Sequence, residues 1–179
     1  MISVLRAKHH FDHRDLRLTE WDSRSKGMLG QTLEGRVPET TLKIEDESPI
    51  PDFFYSGGLP VVSQRMRATL LLLRAQVEFF EVRIQTAQQS SVEQSHWFLN
   101  VLKVIDGVDE EKSIIRRSSS GVVTRINKLA LTAEAQVEEP IFLLRRYEWI
   151  VCVSEALRTA MQTANLTNIR FTGYAEYEL

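Results

Sequence analysis

The sequence predicts an α+β protein, with a mixed, mainly antiparallel sheet and two principal amphipathic helices. Three observations carry that expectation. Two stretches, 63–75 and 154–164, open with serine and then place apolar residues at helical spacing. Around them run short segments rich in valine, isoleucine and aromatic residues, broken by glycine, proline and asparagine, which is the pattern of strands joined by turns. Finally, 43% hydrophobic against 26% charged residues is an ordinary globular balance, neither disordered nor fibrous.

The 179 residues are read as one domain, long enough to bury a core without disulfides or metals. Residues 1–47 form a less regular N-terminal portion of short strands and loops, punctuated by Gly27, Gly30, Gly35 and Pro38, with Trp21, Met28 and Leu29 laid on the core. A loop over 50–62 then feeds the first helix. Ser63 caps it, and Met66, Leu70 and Leu73, with Leu71 beside them, form its apolar face. Val77 to Ile84 reads as a strand and the polar run 85–94 as an exposed loop.

Trp97 to Ile105 alternates apolar residues on both faces, which predicts a central strand covered on both sides. Asp106-Gly107 ends it, and Asp109, Glu110 and Glu111 continue an acidic corner. Residues 116–121 read as a polar turn, and 122–126 and 128–131 as two short β-prone pieces. A polar connection over 134–140 follows. Residues 141–144 and 149–153 are buried strands. Ser154 caps the second helix, with Leu157, Ala160, Met161 and Ala164 on one side and Asn165 as a left-handed terminator. Ile169, Phe171 and Tyr174 mark a last strand. There is also an internal echo: Val62-Ser63, Arg67 and Phe80 recur at constant spacing as Val153-Ser154, Arg158 and Phe171, two copies of a capped helix followed by a strand.

The net charge of −2 gives no bulk attraction to nucleic acid or to an anionic membrane, and neither is expected as a partner. Cys152 is the only cysteine, which fits a reducing compartment and a buried packing role. No apolar run is long enough for a signal peptide or a membrane span, so a cytoplasmic location is expected. The chemical candidates are weak. His9, His10 and His13 with Asp12 and Asp15 form a histidine-carboxylate group, better read as a solvated segment than as a metal site. There is no G-x-S-x-G elbow and no phosphate loop, and Ser63 and Ser154 stand where helix caps stand. The expectation is therefore no catalytic residue, no cofactor and no metal. The corner Asp106, Asp109, Glu110 and Glu111 lacks calcium-loop spacing, which leaves contact with a basic surface of a partner as its candidate role.

The motifs PDFFYSGGLPVVSQRMR, FFEV, FLNVLKVIDGVDEEKS, IFLLRRYEWIVCVSEAL and ANLTNIRF, in this order, resemble the bacterial polymorphic-toxin immunity proteins of the myxobacterial (MXAN) type. The resemblance covers about 51–171. Two departures are Thr167-Asn168, where the family pattern has a glycine, and Gly107 within the aspartate corner. The resemblance implies a small cytosolic, non-enzymatic protein that neutralises a cognate toxin effector by occluding it, with homo-oligomerisation left open. The alternative is a small cytosolic enzyme, a hydrolase or nucleotide-modifying protein, with a site assembled from dispersed polar residues such as His96, Asp106 and Arg145.

Overall fold

The computed structural model describes residues 1–8, 30–33, 40–44, 49–56, 59–86, 95–135 and 138–178. Within them the α+β expectation holds, with two helices and a mixed, mainly antiparallel set of strands. In chain order these are β1 (Ser3–Ala7), β2 (Thr40–Ile44), β3 (Phe53–Ser56), β4 (Leu59–Ser63), α1 (Gln64–Leu72), β5 (Val77–Thr86), β6 (His96–Val101), β7 (Val104–Ile105), β8 (Ile114–Arg117), β9 (Val123–Lys128), β10 (Ile141–Leu144), β11 (Tyr147–Val153), α2 (Glu155–Thr163) and β12 (Ile169–Gly173). One sheet has the order β12-β1-β11-β10-β7 and the other β2-β5-β6-β4-β3, while β8 and β9 form a separate hairpin. Among the described strands only β7 with β10 and β2 with β5 run parallel. The residues expected on the core at Trp21, Met28 and Leu29, and the histidine group at 9–13, lie outside the described residues.

Both helices start as their serines dictate. Ser63 Oγ accepts from Met66 N and Ser154 Oγ from Leu157 N, each at 3.3 Å, satisfying an amide that the helix itself leaves without a partner. On α1, Met66 and Leu70 are buried, whereas Leu71 points to solvent. On α2, Leu157 and Met161 are buried.

The two halves repeat more than the caps. Ala75 N donates to Leu70 O (3.1 Å) and Leu166 N to Met161 O (3.2 Å), the bond that closes a helix over a left-handed residue. That residue is Arg74 (φ 55°) in the first half and Asn165 (φ 49°) in the second. Ser63 N reaches Asp52 O and Ser154 N reaches Pro140 O in the same way. Arg67 stacks over Phe79 at 5.2 Å and Arg158 over Phe171 at 5.9 Å. Strand β6 lies between β4 and β5 just as β1 lies between β11 and β12. Phe79 pairs with Leu99 on β6, and Phe171 with Leu5 on β1. The counterpart of Phe171 is therefore Phe79, and not the Phe80 that constant spacing indicates. The connection after α2 is one residue longer, and Asn168 takes up the extra residue at φ 59°. Asparagine tolerates that conformation better than most side chains, which accounts for the residue at this turn. Its amide also holds Phe53 O at 2.9 Å.

The run 97–105 is not one strand. Strand β6 belongs to the second sheet and β7 to the first, and the chain crosses between them at Leu102-Lys103. Leu102 N is taken by Gln76 O and Lys103 O by Leu143 N, each at 2.9 Å, so backbone pairing changes sheets inside a run that is largely apolar on either side of the crossing. Gly30 (φ 72°) passes so close to this crossing that a Cβ would meet Val104 Cγ2 at 2.0 Å. Residues 53–56 and 59–62, expected as a loop, pair antiparallel as β3 and β4, and Arg116 and Arg117, expected in a turn, end β8.

A central apolar cluster gathers both helices and one face of each sheet, from Leu5, Phe53, Val62 and Met66 to Leu143, Val153, Leu157 and Met161. A second cluster lies on the other face of the first sheet, where Ile126 and Leu129 cover Tyr147, Ile150 and Cys152. Cys152 is buried there and burial pushes its thiol pKa up, so it is a packing residue. Asp52 is also buried. It accepts from Ser63 Oγ (2.5 Å), Arg65 (3.1 Å) and Thr167 N (2.8 Å), and so ties the β3–β4 pair to the segment leading into β12.

Candidate functional site

The acidic corner is built by the turn that leaves β7 and returns as β8. Val108 bridges to Leu131, and Asp109 N donates to Ala130 O at 2.9 Å. The Asp109 carboxylate then accepts from Lys112 N at 3.0 Å and Lys112 Nζ at 2.7 Å, a side chain closing its own turn. These bonds with Lys112 hold the Asp109 carboxyl below the usual range. Gly107 is buried under Ala135, where a Cβ would come within 2.5 Å of the alanine's own Cβ. Close approach therefore accounts for glycine at that point of the corner.

Glu110 organises the next layer. The Tyr147 hydroxyl donates to it at 2.7 Å, and Arg117 contacts both of its oxygens at 3.0 and 3.1 Å. Arg146 approaches it at 3.5 Å. These contacts, the tyrosine's first, keep the Glu110 carboxyl below its ordinary range. Burial, helped by the carboxylate, pushes Tyr147 up to about 12. Arg117 also donates to the Tyr147 oxygen at 2.6 Å and to Gly121 O at 3.3 Å, and its guanidinium stacks over the tyrosine ring at 5.7 Å. One carboxylate and one aromatic ring thus fix an arginine that would otherwise carry considerable rotamer entropy.

Beside this network lies an open groove of about 410 Å³, lined by Arg117, Gly121, Val122, Val123, Arg146 and Trp149. Trp149 is 48% exposed and Val122 63%. Trp149 leans edge-on against Tyr147 at 5.6 Å. An exposed tryptophan between two positioned arginines has the composition of a protein-interface hot spot.

The structure thus places the four predicted corner residues in different situations. Asp106 is exposed and paired with Arg146 at 3.2 Å. Asp109 is engaged with Lys112, and Glu110 with Tyr147, Arg117 and Arg146. Glu111 is exposed and adds to the field on Lys112. The residues of the enzymatic alternative sit in unlike surroundings. His96 is fully buried in β6 against Phe54, while Asp106 and Arg145 lie at exposed turns of the first sheet. Among the described residues no group of three or more His, Cys, Asp or Glu is placed to hold a metal ion. The groove residues Arg117, Arg146, Tyr147 and Trp149 were not predicted as functional. The available signal was the RRYEW segment between two buried strands, where Arg146 takes φ 69° and an irregularity in the β10–β11 ladder accompanies the outward turn of Trp149.

A family model described as Immunity protein family (Imm11) matches residues 8–176. No curated protein matches the chain.

Proposed function

We infer the function from one premise: the chain belongs to the Immunity protein family (Imm11). The match over 8–176 is the observation that carries the reading. In this reading the protein binds a cognate bacterial toxin effector in the cytoplasm of the cell that makes it and blocks the toxin by covering it, with no catalytic step of its own. Among the described residues no helix is long and apolar enough to cross a membrane, which is compatible with that location.

The contact surface we assign is the corner Asp106, Asp109, Glu110 and Glu111 together with the groove it rims. Two features support the assignment. Asp106, Glu110 and Glu111 are exposed at the corner, and its acids hold Arg117 and Arg146 in place before any partner arrives, which lowers the ordering cost of binding. The test is to identify a candidate toxin effector, sought first among the neighbouring genes, and to co-express it with this chain. Survival with the chain and death without it is expected, as is co-purification of the pair. Equal killing in both cells refutes the immunity reading.

A further inference from the structure

We propose that the outer face of the β8–β9 hairpin receives an acidic surface of the toxin, with Arg116, Arg125 and Lys128 as the cations that meet it. The proposal rests on the immunity reading above and adds the chemistry of the partner's face.

In the hairpin Ile115 stands opposite Ile126, and Ile126 is buried on the second apolar cluster. The next pair, Arg116 opposite Arg125, must therefore point away from the body of the protein. Both arginines are exposed. So are Ile114 and Lys128, which pair with each other beyond an irregularity in the ladder. Like charges directly opposite on a ladder repel. Among the described residues no hydrogen bond or ion pair engages the side chains of Arg116, Arg125 or Lys128. Another like-charged pair in the register, Arg6 with Arg170, is treated differently: Arg6 donates to Glu178 O at 3.4 Å and stacks over Tyr177 at 5.5 Å.

The acidic corner does not offset the hairpin's charge. Asp106, Asp109 and Glu110 are each held by Arg146, Lys112 or Arg117. Among the described residues of the corner and the hairpin, Glu111 and the three hairpin cations are left without an ion pair, and the cations outnumber that acid. In a chain of net charge −2 they form a local positive face.

A protein surface fits this face better than nucleic acid does. A duplex binder of substantial affinity makes about 6–10 phosphate contacts, and three cations fall short of that. Ile114, 56% exposed between the cations, and Trp149 and Val122 near the hairpin turn provide the apolar contacts that a protein interface uses.

The experiment measures association of the purified effector with the wild type, with R116E/R125E/K128E, and with R74E/R83E/R170E, which changes the net charge equally elsewhere. Circular dichroism melts check folding, and the milder R116Q/R125Q/K128Q replaces the reversal variant if that variant is unfolded. At low ionic strength the hairpin variant should associate at least about tenfold more slowly, and the control within about threefold of wild type. Equal slowing in both, or none in either, overturns the proposal while wild-type binding leaves the immunity reading standing. Failure of the wild type itself to bind or protect removes both. Tight binding of a 20-base-pair DNA duplex by wild type, lost in the hairpin variant, overturns the assignment to a protein face.

Discussion

Replacing Glu110 by alanine removes the centre of the corner, and its cost can be worked from the contacts. The carboxylate loses the Tyr147 hydroxyl at 2.7 Å, the single Arg117 nitrogen that reaches both its oxygens at 3.0 and 3.1 Å, and Arg146 at 3.5 Å. Glu110 and both arginines are at least a third exposed, so the two ion pairs are screened and together contribute about 1 kcal/mol. The bond from the largely buried tyrosine adds about 1 kcal/mol. The sum of about 2 kcal/mol corresponds to a melting temperature lower by about 4–8 °C for a chain of this size. The assay is urea denaturation of wild type, Glu110→Ala, Tyr147→Phe and the double variant. A coupling energy of about 1 kcal/mol between the two sites is expected, because the hydroxyl and the carboxylate act through one bond. Additivity within about 0.3 kcal/mol would falsify the view that Glu110 and Tyr147 form a unit that holds Arg117.

Further expectations follow from the same geometry. Ser154→Ala should cost about 1 kcal/mol as a simple cap loss. Ser63→Ala should cost more, because its hydroxyl also donates to buried Asp52 and that acceptor is left short; equal losses by urea denaturation refute the distinction. Gly107→Ala should destabilise by about 1–3 kcal/mol through overpacking against Ala135, and an unchanged denaturation midpoint contradicts that contact. The pH dependence has two arms. Glu110 has a depressed folded value, so its contribution is complete above the ordinary glutamate value of about 4.3 and is lost as pH falls through the folded one. The stability gap between wild type and Glu110→Gln should therefore close in acid. Tyr147 and Tyr55 are both raised to about 12, so their contribution is complete below about 10 and is lost as pH rises towards 12. Ultraviolet titration should show these two tyrosines ionising late, and all tyrosines ionising together near 10 refutes their burial.

The sequence by itself determined what depends on neighbours along the chain. A serine before an apolar i, i+4 pattern specifies a capped helix, because cap and face both lie within one or two turns. Asn165 as a left-handed stop, the buried strands around 141–153 and the repeated capped-helix unit were legible for the same reason, as was the family. Only the tertiary structure decided where the strands pair. The run 97–105 is largely apolar on both sides of Leu102-Lys103, yet the backbone leaves one sheet there and joins another, since burial on both faces looks alike in either. The corner divides in the same way. Its acidity was plain in the sequence, but the pairing was not: Arg117 lies close by on β8, whereas Arg146 arrives from the turn before β11, distant in sequence from the turn it meets. Charge is a property of residues, whereas unpaired charge is a property of the fold, which is why attention moves from the corner's acids to the hairpin's bases.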